Sequence, residues 1–188
     1  MDELTSESKA PRSLTRWVFD IKSDGQKKAR LVAKGFSQVE GVDYNEIFSP
    51  VVRYETVRLM LALAALENWH ITSVDVKTAF LYGKLDEELF MEQPEGFSQP
   101  GQEHKVLHLK RAIYGLKQAA LKWWEALDES MAALGFKRLL SDSGVFVYIS
   151  KGKGTVIAIV YVDDALFMGT DLSLVNKLKS AFMQTWEC

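Results

Sequence analysis

Apolar and polar positions along this chain alternate in two rhythms. Trp17–Lys22 and Ala29–Ala33 carry the period of two expected of strands, separated by the turn-forming Ser23-Asp24-Gly25. Glu55–Glu67 changes to a helical period: Val57, Leu61, Ala64 and Ala65 fall on one side, and Ala and Leu dominate. A strand is predicted for Ile71–Val76, then a short helix over Thr78–Tyr82 closed by Gly83. Leu89–Glu92 and Val106–Leu109 read as a strand pair across an acidic, Gly- and Pro-bearing loop. Leu116–Leu134 is the longest helical pattern and should stop at Gly135. Gly144–Ser150 and Thr155–Val162 form a hairpin pattern around Lys151–Gly154, and Leu172–Trp186 is a final amphipathic helix. The order predicts an α+β fold, an antiparallel sheet covered by helices on one face.

The stretch that organises the rest is Val156–Met168, VIAIVYVDDALFM. It is rich in Val and Ile, contains no Gly or Pro, and reads as buried strand. Asp163 and Asp164 interrupt it. Two adjacent ionised carboxylates repel each other, and burial without a partner is costly. Either they sit at an open turn, for which Asp is well suited, or divalent cations neutralise them. Asp75 ends another predicted central strand, so adjacent strands would bring the three carboxylates to one sheet edge. Such a cluster can hold two Mg²⁺ ions roughly 3.5–4 Å apart, as used in phosphoryl transfer. Asp75 alone could equally be the N-cap of the short helix after it.

The 188 residues are enough for one ordinary domain with a real core, and 47% apolar with 26% charged is a globular composition. Cys188 is the one cysteine, which excludes a disulfide framework and a Cys-based zinc site. Leu59–Leu66 and Val156–Val162 are too short to span a bilayer, and the acidic, polar Met1–Lys9 is no secretory signal. The net charge of −2 hides segregation. Lys9–Lys34 carries eight basic residues against Asp20 and Asp24, and Lys105–Lys122 carries five and no acid. Separated basic blocks suit a phosphate-binding groove, and they also suit plain solvated faces.

Asp75–Leu81 (DVKTAFL) and Tyr161–Asp164 (YVDD) resemble motifs A and C of reverse transcriptases. More narrowly, KARLVAKGFSQ (28–38), FSPVV (48–52), DVKTAFLYG (75–83), MEQPEGF (91–97), YGLKQA (114–119) and YVDD resemble the Ty1/copia class of retrotransposon polymerases. The resemblance runs from about Trp17 to Leu178, in the family's order and spacing. It implies an RNA-directed DNA polymerase: the palm of a right-hand polymerase with partial fingers over 17–188, after a frayed leader over 1–16, with thumb and ribonuclease H regions absent. It also implies two Mg²⁺ ions (Mn²⁺ as a substitute), an RNA or DNA template with primer, and dNTPs. The implied setting is intracellular, a cytoplasmic virus-like particle or the nucleus, with no membrane.

Residue by residue, Asp75, Asp163 and Asp164 match the catalytic metal-binding aspartates, with the Val76 carbonyl as a further metal contact. Phe80 matches the aromatic that rejects a ribose 2′-OH; its other reading is ordinary core packing. Arg30 matches the arginine against the triphosphate, and Lys22 is a looser phosphate candidate. Gly115 and Lys117 fall in the loop supporting template and nucleotide, and Tyr161 and Val162 lie near the primer end. Three positions depart from the family pattern: Ala120 and Leu121 stand where Pro and Arg are usual, and Thr78 where Asn is common. The last helix, with Leu174, Val175, Leu178, Phe182 and Trp186, is expected to expose apolar surface that following chain would cover. The rival readings are a polymerase-derived remnant that only binds nucleic acid or a partner, and a different two-metal or cyclase-like palm enzyme.

Overall fold

The computed structural model describes residues 3–5, 12–152 and 154–188. In chain order the strands and helices begin with β1 (Glu3–Thr5), β2 (Arg12–Ser13), β3 (Thr15–Ile21), β4 (Lys27–Ala33), α1 (Tyr54–Leu66), β5 (His70–Asp75) and β6 (Lys84–Glu92). They continue with β7 (Val106–Arg111), α2 (Ala119–Ala133), β8 (Lys137–Leu139), β9 (Asp142–Ser150), β10 (Gly154–Tyr161), β11 (Asp164–Gly169) and α3 (Leu172–Thr185). Short 3₁₀ turns occupy Gly35–Ser37 and Ala79–Tyr82. This is an α+β chain. It divides into two compact units, one of residues 1–48 and 80–123, the other of 49–79 and 124–188.

Strand pairing differs from the single antiparallel sheet expected. The strands form three sheets, ordered β1-β7-β6-β2, β3-β4 and β5-β11-β10-β9-β8. The β2–β6 pair is parallel. Of the stretch expected to be a frayed leader, residues 1–2 and 6–11 lie outside the described residues; Glu3–Thr5 pairs with β7 and Arg12–Ser13 with β6.

In the first unit the β3–β4 hairpin turns where Gly25 adopts φ +82°, a conformation that costs glycine nothing. Its core gathers Ala33, Leu89, Met91, Leu109, Ala112, Leu116 and Ala119, with Leu31, Phe80 and Ile113 packed against them. A buried pair of amides ties the Gly35–Tyr44 loop to the start of α2. Gln38 Nε2 donates to Gln118 Oε1 (3.0 Å), and Gln118 Nε2 donates to the Asp43 carbonyl (2.8 Å). Lys122, an unusual buried lysine, pairs with Asp86.

The second unit is built on its five-stranded sheet. Val156 through Val160 are all buried on β10, so both faces of this strand are covered, as an unbroken apolar run requires. Val52, Ala64, Val145, Ile157, Ile159 and Met168 form its core with Val57 and Met60. The seam of α1 is therefore Val57–Met60–Ala64; Leu61, expected to face inward, is 38% exposed. The cap of α1 comes from far along the chain. Arg53 at the N-cap makes no side-chain cap, and its N–H donates to the Asp142 carboxylate (3.1 Å). Helix α2 stops as predicted: Gly135 takes φ +86°, and Phe136 N–H returns to the Met131 carbonyl (3.0 Å).

Helix α3 corrects a further expectation. Leu174, Val175, Leu178, Phe182 and Trp186 are buried within this chain, and the Phe182 ring meets Phe167 of β11 edge-on at 5.4 Å. The helix packs on β5 and β11, so its apolar stripe is already covered.

Candidate active site

The β10–β11 hairpin interrupts its apolar run at Val162-Asp163. Tyr161 and Asp164 are its last paired residues, and Asp164 is at the same time the cross-strand partner of Asp75 on β5. Directly opposed residues of an antiparallel pair project from one face with Cβ atoms about 5 Å apart. Beyond the last strand pair the ladder continues through one more bond, from Val76 N–H to the Asp163 carbonyl (2.8 Å). Asp75, Asp163 and Asp164 thus end up at one edge of the sheet. On either side Val74, Val76 and Ala165 point into the core and hold the strand ends in place.

The electrostatics are those of crowded like charge. Burial pushes the Asp164 carboxyl above its ordinary pKa, and the charges of Asp163 and Asp75 push it further. Among the described residues none of the three carboxylates is paired with a basic side chain. Three carboxylates in this state are a hard-oxygen donor set suited to Mg²⁺. No group of three or more His, Cys, Asp or Glu side chains among the described residues is gathered to hold an ion by itself. Mg²⁺ does not require one, because it is held through one or two carboxylates plus waters and substrate phosphates. On donor chemistry the residues fit.

Two backbone outliers flank the carboxylates. Val162 takes φ +57° and Thr78 φ +53°, both β-branched residues in the left-handed region. Strain of this kind concentrates where the surroundings over-determine a turn. Next to Asp75, Lys77 N–H donates to the Glu187 carbonyl (2.8 Å), and Lys77 Nζ pairs with the Glu187 carboxylate (3.2 Å). Burial raises the Cys188 thiol pKa, with Asp75 adding to the shift and Lys77 opposing it. No motif marked Glu187 or Cys188 as neighbours of this edge. Tyr161, at the end of β10, is 56% exposed.

The remaining candidates lie in the first unit. Arg30 on β4 is cross-strand from Val18, and its guanidinium carbon lies 6.0 Å from the centre of the Tyr114 ring. The Phe80 ring meets the same Tyr114 ring at 5.0 Å and 65°. Lys22 is not brought to Arg30: it sits in the hairpin turn, four residues beyond Val18, about 13 Å along the strand direction. Gly115 has φ +91°, and a Cβ there would fall 2.1 Å from the Ala33 carbonyl oxygen. Lys117 N–H donates to Gln38 Oε1 (2.7 Å), and its ammonium reaches Tyr44 Oη (3.1 Å) and lies over that ring. Leu121, where the family pattern has Arg, is buried.

A family model described as reverse transcriptase (RNA-dependent DNA polymerase) matches residues 3–188. The chain belongs to the reverse transcriptase family. This reverse transcriptase domain is 42% identical over 177 residues to a retrovirus-related Pol polyprotein from transposon TNT 1-94 of Nicotiana tabacum, covering 92% of this chain and 13% of that protein. It is 42% identical over 166 residues to the Pol polyprotein from transposon RE1 of Arabidopsis thaliana, covering 86% and 11% respectively. The transposon Ty1-BL Gag-Pol polyprotein of Saccharomyces cerevisiae is 30% identical over 172 residues, covering 88% and 9%. The reverse transcriptase domain is thus of the Ty1/copia kind and spans about a tenth of the length of these relatives. Among its described residues no helix is long and apolar enough to cross a membrane.

Proposed function

We propose that this chain is the fingers–palm portion of an RNA-directed DNA polymerase, with Asp75, Asp163 and Asp164 as its catalytic carboxylates. In this reading residues 49–79 and 124–188 are palm, and the β3–β4 hairpin with its supporting loops belongs to the fingers. The observation that carries it is the register: Asp164 opposite Asp75, with Asp163 one residue away in the turn. Two Mg²⁺ ions, when bound, would lower the pKa of a primer 3′-OH and neutralise charge on the triphosphate.

The chain's own residues do the rest. Asp75, Asp163 and Asp164 hold negative charge where the cations are needed, with the Val76 carbonyl beside them. Arg30 offers a planar fork to phosphate oxygens, and Lys22 a point charge further out on the hairpin. Phe80 closes the space beside the sugar C2′, so a dNTP fits and a ribonucleotide does not. Gly115 and Lys117 support the template side, and Tyr161 and Val162 the primer end. The primer 3′-oxygen then bonds to the α-phosphorus and pyrophosphate leaves. Template–primer and dNTPs are the partners, in an intracellular setting.

The test is primer extension on a primed RNA template, with these residues carried in the longer polyprotein segment. Template-dependent extension that requires Mg²⁺ or Mn²⁺ supports the reading. Tight binding of the primed template with no extension under either metal favours a remnant that only binds.

A further inference from the structure

Tyr114 belongs to none of the roles assigned above, yet two of those roles meet on its ring. The Arg30 guanidinium lies 6.0 Å from the ring centre, within cation–π reach. Phe80 also packs against it at 5.0 Å and 65°, the edge-on geometry preferred by aromatic pairs. The backbone fixes this arrangement. The Tyr114 carbonyl accepts a hydrogen bond from Ala33 N–H (2.7 Å), tying the residue to the end of the strand that carries Arg30. Gly115 makes the close approach feasible, since any Cβ there would collide with the Ala33 carbonyl. Arg30, Tyr114 and Phe80 are all half-buried and lie in one compact unit.

We infer that Tyr114 is a positioning residue that couples recognition of the triphosphate to selection of the sugar. Its ring holds Phe80 in the orientation that blocks a 2′-OH and sets the direction of the Arg30 fork. The two recognition elements are then not independent: loosening the ring they share relaxes both. This inference rests on the polymerase reading and on the roles given there to Arg30 and Phe80.

The experiment compares wild type, Y114F, Y114L, F80V and the double variant F80V/Y114L in the longer polyprotein segment. The readouts are kcat/KM for dGTP and rGTP on the same primed template, and KM for dGTP. Y114F keeps the ring and should behave as wild type in both. Y114L removes the π face and leaves a smaller apolar side chain. It should raise rGTP incorporation relative to dGTP roughly three- to tenfold and raise KM for dGTP, with the fold confirmed by circular dichroism. The double variant should be no less selective than F80V alone, because both substitutions act through one ring. An unchanged sugar ratio in Y114L, or multiplicative effects in the double variant, overturns the inference. If F80V itself leaves the ratio unchanged in an active enzyme, it is the role of Phe80 that has failed. If Y114L does not fold, Y114M takes its place: it too lacks a π face and should raise the same ratio, and an unchanged ratio overturns the inference.

Discussion

Asp164 stands directly opposite Asp75 across the β5–β11 pair, with Asp163 one residue away in a turn whose carbonyl accepts from Val76. The arrangement places like charges together and raises the Asp164 pKa through burial, Asp163 and Asp75, in that order. A fold tolerates such an edge at a cost in stability, which a cation bound there would offset.

Asp75→Asn and Asp163→Asn should each abolish primer extension while leaving the fold intact. An amide keeps the shape but removes the charge that holds a divalent cation. The check is extension at matched circular dichroism spectra. Extension at the wild-type rate by either variant would remove the carboxylate assignment.

Asp164→Asn should separate stability from function. With a raised folded-state pKa, Asp164 binds its proton more tightly in the folded than in the unfolded chain. Its contribution therefore becomes less favourable as pH rises from the unfolded value through the folded one, and at neutral pH the charged form is a burden. The substitution should leave neutral-pH stability unchanged or raise it by up to ~0.5 kcal/mol, because solvent screens the exposed edge. Mg²⁺ or Ca²⁺ should raise the Tm of the wild type more than that of Asp164→Asn, as followed by thermal melts with and without metal.

Asp142→Ala should cost about 2 kcal/mol, because it removes the cap of α1 and leaves buried donors unpaired. Burial alone would raise the Asp142 carboxyl, but hydrogen bonds from Thr56, Arg53 N–H and Gly144 N–H, with the Arg53 charge, bring it below its ordinary value. This depressed pKa gives stability that is present above the unfolded value and lost as pH falls through the folded one. Urea titrations at neutral and acid pH should show a steeper acid loss for wild type than for Asp142→Asn.

Thr78→Asn should stabilise the chain by about 1 kcal/mol. Thr78 holds φ +53°, where a β-branched side chain is strained and Asn is tolerated. The urea midpoint should rise at constant m-value. An unchanged or lower midpoint would mean that the threonine methyl makes compensating contacts.

Gly115→Ala should be severely destabilising, by more than about 3 kcal/mol, since it combines positive φ with a Cβ placed 2.1 Å from the Ala33 carbonyl oxygen. Loss of soluble folded protein, or a large fall in the urea midpoint, is the expected outcome. Wild-type stability would show that the loop can withdraw from β4.

The sequence by itself determined most elements and the family. Period-two and helical stretches located the β3–β4 hairpin, α1, α2, α3 and the β9–β10–β11 run, because local burial writes its period into the chain. Six ordered blocks singled out Asp75, Asp163 and Asp164, and the strand register is what brings Asp164 opposite Asp75. Tertiary structure decided what depends on contacts between distant residues. Local pattern does not fix which strand lies beside which, so three sheets and a parallel β2–β6 pair replace the single sheet expected. The α1 cap arrives from Asp142, 89 residues from Arg53, and carries no local signature. The stripe of α3 was legible as apolar, but only packing on β5 and β11 shows that this chain already covers it. Tyr114 reads as an ordinary aromatic until the Ala33 hydrogen bond and the Gly115 approach bring its ring against both Arg30 and Phe80. Periodicity reports which face of an element is buried; which residue meets which across that face is settled by register and packing.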